Sequence, residues 1–199
     1  FIINFIINMI LIINNRGQYV HRIWRSMRYL GAEADMVPGP TPVHEILGKE
    51  PDGIILSGGP YSVHMGASEI GNCYEILSRV EVPILGICLG HQIIAKFFGG
   101  EVERGERAEY AQVSIRIEKE DDLFRGMGNE LLVWESHKDE VTRMPEDFER
   151  LAYSEICEFE AIKHKEKPIY GVQFHPEVYH TQHGSDILRN FLEVCEGEI

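Results

Sequence analysis

Over the first half of the chain, short apolar runs alternate with segments of helical period, the pattern of a parallel sheet wrapped by helices. Met9–Ile13 reads as a first strand. Val20, Ile23, Trp24, Met27 and Leu30 then share one face of a helix that Gly31 closes as a C-cap. ADMV (34–37) is a second strand, and Thr41-Pro42 predicts a short helix with Thr41 as N-cap and Pro42 at the first helical position. GIILS (53–57) is a third strand running into Gly58-Gly59-Pro60. Ile70, Cys73, Ile76, Leu77 and Val80 mark another helix, and PILGI (83–87) a fourth strand.

Beyond Gly100 the pattern changes. RAEYAQVSIRIE (107–118), LLVWES (131–136), ERLAYS (149–154), FEAIKH (159–164) and IYGVQF (169–174) read as mostly antiparallel or mixed strands, and a helix over 184–195 closes the chain. The fold class is therefore α/β. The expected architecture is a flavodoxin-like, open, twisted, mostly parallel sheet with helices on both faces and additional mixed or antiparallel strands in the second half.

The segment FIIN occurs twice before Met9. It is interrupted by Asn4 and Asn8, lacks a basic start, and falls short of the roughly 20 apolar residues of a membrane span. Residues 1–8 are read as an N-terminal extension and 9–199 as a single domain. A length of 199 residues with 44% hydrophobic content suits one packed core. The 32 acidic against 19 basic residues give a net charge of −13, which disfavours nucleic-acid phosphates and anionic membrane surfaces. Cys73, Cys88, Cys157 and Cys195 show no C-x-x-C spacing, which points to the reducing cytoplasm. None of the nine histidines has the spacing of a zinc site, so no metal is expected.

Cys88 changes the picture. It falls where the strand PILGI gives way to the helix LGHQIIAKFF, between Gly86 and Gly90. That G-x-C-x-G spacing matches a nucleophile elbow, in which flanking glycines permit a strained reversal that lifts the nucleophile clear of the sheet. A helix N-terminus favours thiolate over thiol, and the Leu89 N–H points toward an anion formed beside the sulfur. A buried structural cysteine is the alternative at this stretch alone. The strand IYGVQF delivers His175-Pro176-Glu177 at its C-terminal end, where open α/β sheets gather catalysts. His175 can take the thiol proton and return it to a leaving amine, and Glu177 can orient and stabilise the imidazolium.

GICLGHQ together with GVQFHPE resembles the class I, triad-type glutamine amidotransferases over essentially the whole chain from Met9. Within that family, Asn15–Tyr19, Ser57–Pro60, Glu109–Ala111 and Trp134–Glu140 most resemble the glutaminase portion of GMP synthase. A chain ending near residue 199 resembles the separate glutaminase subunit of the archaeal two-subunit type. The resemblance implies hydrolysis of L-glutamine to glutamate and ammonia by Cys88, His175 and Glu177. It implies an oxyanion hole from the backbone N–H groups of Leu89 and Gly59, and glutamine contacts from Gly58, Gln92, Ser136 and His137. No cofactor is implied in this chain. ATP and magnesium are expected in an ATP-pyrophosphatase partner subunit that converts XMP to GMP.

Gln92 could instead be a solvated helix residue, and His137 a structural histidine. His91 matches no triad position and is read as structural, and Cys73, Cys157 and Cys195 as core residues. Lys138 and Asp139 belong to a charged cluster read as a loop after LLVWES, suited to coupling with the partner or to a solvated turn. The chain has Asn14 where the subgroup commonly has Asp, and Arg16 where it often has Gly. A glutaminase subunit of an anthranilate or carbamoyl-phosphate synthase, a free-standing peptidase or γ-glutamyl hydrolase, and a non-catalytic regulator of the same fold remain as alternatives.

Overall fold

The computed structural model describes residues 8–197. In chain order the elements of the first half are β1 (Met9–Asn14), α1 (Val20–Tyr29), β2 (Glu33–Pro38), α2 (Val43–Leu47), β3 (Gly53–Leu56), α3 (Ala67–Ile70), α4 (Cys73–Arg79), β4 (Ile84–Ile87) and α5 (Leu89–Phe97). The second half holds β5 (Glu101–Ile117), β6 (Glu130–Arg143), β7 (Phe148–Tyr153), β8 (Ala161–His164), β9 (Ile169–Val172) and α6 (Gly184–Glu196). Among the described residues the strands form a nine-stranded sheet in the order β2-β1-β3-β4-β9-β8-β7-β5-β6. The half from β2 to β9 is parallel, and the half from β9 to β6 is antiparallel.

The parallel half is covered on both faces, so its strands are apolar without alternation. Ile10 and Ile12 join Val20, Ile23 and Met27 of α1 and Ile187, Leu188 and Phe191 of α6 in one core. Leu11 and Ile13 point the other way, into a second core with Val43 and Ile46 of α2, Ile76 and Leu77 of α4, and Ile93 and Ile94 of α5. This layering puts the C-terminal ends of β1, β3, β4 and β9 side by side at one edge. No helix among the described residues is long and apolar enough to cross a membrane.

Four details differ from the sequence reading. First, α2 starts at Val43, not at Pro42. Pro42 keeps an extended ψ of 138° and is itself the N-cap, its carbonyl accepting from the N–H groups of Glu45 and Ile46 at 3.0 and 3.2 Å. Second, the apolar stripe from Ile70 to Val80 is two helices. Between them Gly71, at φ +62°, lies so close to Gly39 that a Cβ would come within 2.5 Å of the Gly39 carbonyl. Third, Lys138 and Asp139 lie not in a loop but in β6, which runs to Arg143 and pairs Asp139 with Arg104 and Glu140 with Glu103. The inward alternation of Leu131 and Val133 continues through Glu135 and His137, both buried, and their polarity hid the strand. Fourth, Asn8, counted with the extension, is buried, accepts from Glu33 N–H at 2.9 Å and donates to Glu196 Oε1 at 2.9 Å. The rest of the FIIN repeat lies outside the described residues.

Candidate active site

The elbow is built by close approach of backbone. A Cβ on Gly86 would lie 2.5 Å from the Gly90 carbonyl carbon, and one on Gly90 would lie 2.2 Å from Leu56 O on β3. Both glycines are therefore required for α5 to pack onto the ends of β3 and β4. Cys88, between them, has φ 53° and ψ −105°, a conformation costing on the order of 1–3 kcal/mol in a non-glycine residue. It is held from both sides: its N–H donates to Val172 O at 2.8 Å, and its carbonyl accepts from Gln92 N–H at 3.1 Å. The first-turn N–H groups of α5, Leu89 among them, have no partner within the helix by construction. The Cys88 sulfur lies 3.8 Å from Ser136 O on β6.

His175 follows β9 and is fastened to β6. Its N–H donates to Trp134 O at 3.0 Å, and its carbonyl accepts from the Thr181 hydroxyl at 2.7 Å. The same hydroxyl accepts from Trp134 N–H at 2.9 Å. The ring meets Glu177 through Nδ1 and Oε1 at 2.8 Å, which leaves Nε2 outside that contact, and Cys88 is close enough to act on the charge of the imidazole. Burial of the ring opposes its charge, but Glu177 and then Cys88 outweigh burial, and the imidazole is held well above its usual range. His175 and Glu177 are 5% and 7% exposed, so these interactions act with little solvent screening. Tyr19 packs edge-on against the His175 ring with centroids 4.9 Å apart.

Opposite Cys88, His175 and Glu177, the turn after β3 is fixed by Asn15. Its Nδ2 donates to Ser57 O at 2.9 Å, and its N–H donates to Ser57 Oγ at 2.9 Å. Gly58 packs against both catalytic candidates: a Cβ there would lie 3.1 Å from His175 Cε1 and 3.5 Å from Cys88 Cβ. A Cβ on Gly59 would lie 2.3 Å from Asn15 O. A cleft of about 560 Å³ opens between this turn, the elbow and β6. Its lining includes all the sequence candidates: Cys88, His175, Glu177, Gly58, Gly59, Leu89, Gln92, Ser136, His137, Lys138 and Asp139. Gln92 is buried, and its amide nitrogen donates to Asp139 O at 2.6 Å and to Gln173 Oε1 at 3.1 Å.

The profile of the family described as Glutamine amidotransferase class-I matches residues 11–195. The chain belongs to that family. Among its relatives, the glutamine-hydrolyzing GMP synthase subunit of Pyrococcus furiosus is 59% identical over 194 residues, covering 96% of this chain and all of that one. The protein of the same description from Methanothermobacter thermautotrophicus is 54% identical, covering 94% and 98%. Among solved structures, a GMP synthase subunit protein from Thermoplasma acidophilum superposes with a TM-score of 0.91 at 38% identity, over 96% of each chain. A glutamine amidotransferase from Thermotoga maritima, with a TM-score of 0.70 and 22% identity, shares the fold.

As a class-I glutamine amidotransferase the chain tolerates its two departures for structural reasons. Arg16 sits at φ 66°, the region that favours glycine, and its N–H donates to Asn14 Oδ1 at 2.8 Å, an acceptor that Asp would supply equally. Three residues at the site were given no role by the sequence: Asn15, Tyr19 and Thr181. Asn15 and Tyr19 lie inside one of the segments that carry the resemblance. Thr181 carried no signal, because a hydroxyl that bridges two strand ends has no pattern along the chain. His91, read as structural, is wholly buried, and burial depresses it to about 3. Cys73, Cys157 and Cys195 are free thiols, the first two fully buried and Cys195 partly.

Proposed function

We propose that this chain is the glutamine-hydrolysing subunit of a two-subunit GMP synthase. Membership of the amidotransferase family and the names of its full-length relatives support that reading. The observation that carries the chemistry is the 2.8 Å contact of Glu177 Oε1 with His175, with His175 and Cys88 both packed against Gly58 at the elbow of a cleft large enough for one amino acid.

In this mechanism His175 takes the thiol proton, and the Cys88 thiolate attacks the side-chain amide carbon of glutamine. The C–N bond then breaks as the His175 imidazolium protonates the departing nitrogen, giving ammonia and a γ-glutamyl thioester. Water, deprotonated by His175, attacks the thioester, and glutamate leaves as the thiol is restored. Glu177 keeps the imidazole oriented and its positive charge stabilised. The N–H groups of Leu89 and Gly59 receive the oxyanion of each tetrahedral intermediate, each contributing about 3 kcal/mol. Ser136, His137 and Gly58 wall the glutamine site. The Gln92 amide nitrogen is already engaged, so Gln92 acts through its carbonyl oxygen and through the Asp139 carbonyl that it anchors.

Ammonia passes to an ATP-pyrophosphatase subunit, which holds ATP and magnesium and aminates XMP. The exposed Lys138 and the half-buried Asp139, on the β6 rim of the cleft, face that partner. Four free cysteines support a cytoplasmic location. The test is Cys88→Ala in the presence of the synthetase subunit, ATP and XMP. Glutamine-dependent GMP formation is lost and ammonia-dependent formation stays at the parent rate; retained glutaminase turnover removes Cys88 as nucleophile. Absence of GMP with either nitrogen source, while glutamine is still hydrolysed by the parent, points to a different synthetase.

A further inference from the structure

Behind the cleft wall lies a buried acidic pair that the mechanism above does not use. Glu135 of β6 and Glu160, the residue before β8, are each 0% exposed. All four of their carboxyl oxygens are buried without a well-aligned hydrogen-bond donor when both groups are taken as ionised. Buried acceptors of this kind are costly, and two carboxylates cannot share such a site. A proton on one of them turns two like charges into a donor and an acceptor.

The groups facing the pair define which carboxyl holds the proton. From β6 come His137 and Glu140, and from the β7–β8 connection come Ser154 and Cys157. Beyond His137 stands the neutral His91 of α5. Burial, then the neighbouring Glu135, pushes the Glu160 carboxyl well above its ordinary range. Burial, with Glu160, Glu135 and Glu140, keeps the Cys157 thiol neutral as well. A proton on Glu160 gives the pair its donor, and the orphaned oxygens of Glu135 are the acceptors it can reach.

From Glu135 a connected path leads to the substrate wall. Glu135 Oε2 lies 3.1 Å from His137 Nε2, an ion pair when His137 is protonated, and His137 Nδ1 reaches Asp139 O at 3.1 Å. Asp139 O also accepts from Gln92 on the elbow helix. Gln173, which bonds Gln92, donates its backbone N–H to Glu160 O at 2.8 Å and closes the loop. Ser136 lies within this span and faces the Cys88 sulfur.

We propose that Glu160, hydrogen-bonded as a carboxylic acid to Glu135, is a positioning residue for glutamine binding: it holds the Glu135–His137 pair and, through it, the Ser136–Asp139 wall of the cleft. The proposal rests on the glutaminase reading above. Because it acts on the wall and not on the triad, its loss falls on the KM for glutamine while kcat is largely kept.

The experiment compares Glu160→Gln, an uncharged isostere that still donates to Glu135, with Glu160→Leu, which cannot. Glutaminase kinetics are measured in complex with the synthetase subunit, with ATP and XMP present. Glu160→Gln is expected to keep KM within about three-fold of the parent. Glu160→Leu is expected to raise KM roughly ten-fold, with kcat within about three-fold, because Glu135 is left buried without its donor. Equal effects of the two variants, or a fall in kcat at unchanged KM, overturn the proposal. Infrared spectroscopy supplies a second readout that needs no activity and no folded Leu variant. The parent at neutral pH shows the carbonyl stretch of a protonated buried carboxyl, and Glu160→Gln lacks it; a parent without that band overturns the proposal. Should the parent complex not hydrolyse glutamine at all, the functional reading fails, and the infrared band still decides whether Glu160 is the acid.

Discussion

Thr181 is the bolt between the two strands that carry the site, and replacing it by valine tests the architecture behind His175. Its hydroxyl accepts from Trp134 N–H at 2.9 Å and donates to His175 O at 2.7 Å, and the residue is 7% exposed. Valine keeps the shape and removes both bonds, leaving one donor and one acceptor in a largely buried setting. Each orphaned group costs on the order of 1–3 kcal/mol, so the expected loss of stability is about 3 kcal/mol. For a chain of this length that corresponds to a fall in Tm of roughly 6–12 °C. His175 is also released from one of its two backbone anchors, the other being its N–H to Trp134 O. The glutaminase kcat should therefore drop about ten-fold, with KM for glutamine little changed. Thr181→Ser is the control: it keeps the hydroxyl, loses one methyl, and should cost about 1 kcal/mol with kcat near the parent. Calorimetry and steady-state kinetics of both variants decide the matter. Equal Tm and kcat for the Val and Ser variants would refute the bridging role.

Replacing Gly90 with Ala places a methyl 2.2 Å from Leu56 O, and should destabilise the protein by at least about 3 kcal/mol in urea unfolding while lowering glutaminase activity in step. His175→Ala should abolish turnover, whereas Glu177→Gln should reduce kcat less. Glu177→Gln should also move the alkaline limb of the pH–kcat/KM profile to lower pH, since without the Glu177 charge the imidazolium gives up its proton more readily; an unmoved limb would contradict the pairing. Asn15→Ala removes the 2.9 Å anchor on Ser57 O and should lower kcat about ten-fold through the Gly58-Gly59 turn, read by glutaminase turnover at saturating glutamine. Asp139→Lys keeps the backbone carbonyl that Gln92 and His137 engage, so basal hydrolysis should stay near the parent rate while stimulation by the synthetase subunit, ATP and XMP weakens; unchanged stimulation and binding would separate this side chain from coupling.

The sequence by itself determined the parallel half of the fold and the placement of Cys88, His175 and Glu177 at one edge of it, because both are written locally. Ile10–Ile13, Ile54–Leu56 and Ile84–Leu85 are apolar without alternation, as strands covered on two faces must be. The elbow is a steric rule over five residues: Gly86 and Gly90 are the only side-chain size that lets α5 rest on β3 and β4, and that rule places Cys88. His175 and Glu177 were legible because they follow a strand whose end lies at the same edge. The tertiary structure decided what depends on residues distant along the chain. The full length of β6 was hidden because its inward positions Glu135 and His137 are polar. They can be buried because Glu160 meets Glu135 from outside the strand, while Asp139 O, on β6 itself, meets His137 and is anchored by Gln92 of α5. The split between α3 and α4 depends on the approach of Gly71 to Gly39, 32 positions earlier in the numbering. The hold on His175 depends on Thr181 and Trp134, which share no spacing that a linear pattern could carry. Burial of apolar side chains is a property of each residue and its period, so it is readable in one dimension. Satisfaction of buried polar groups is a property of pairs, and which pairs form is known only once the chain has folded.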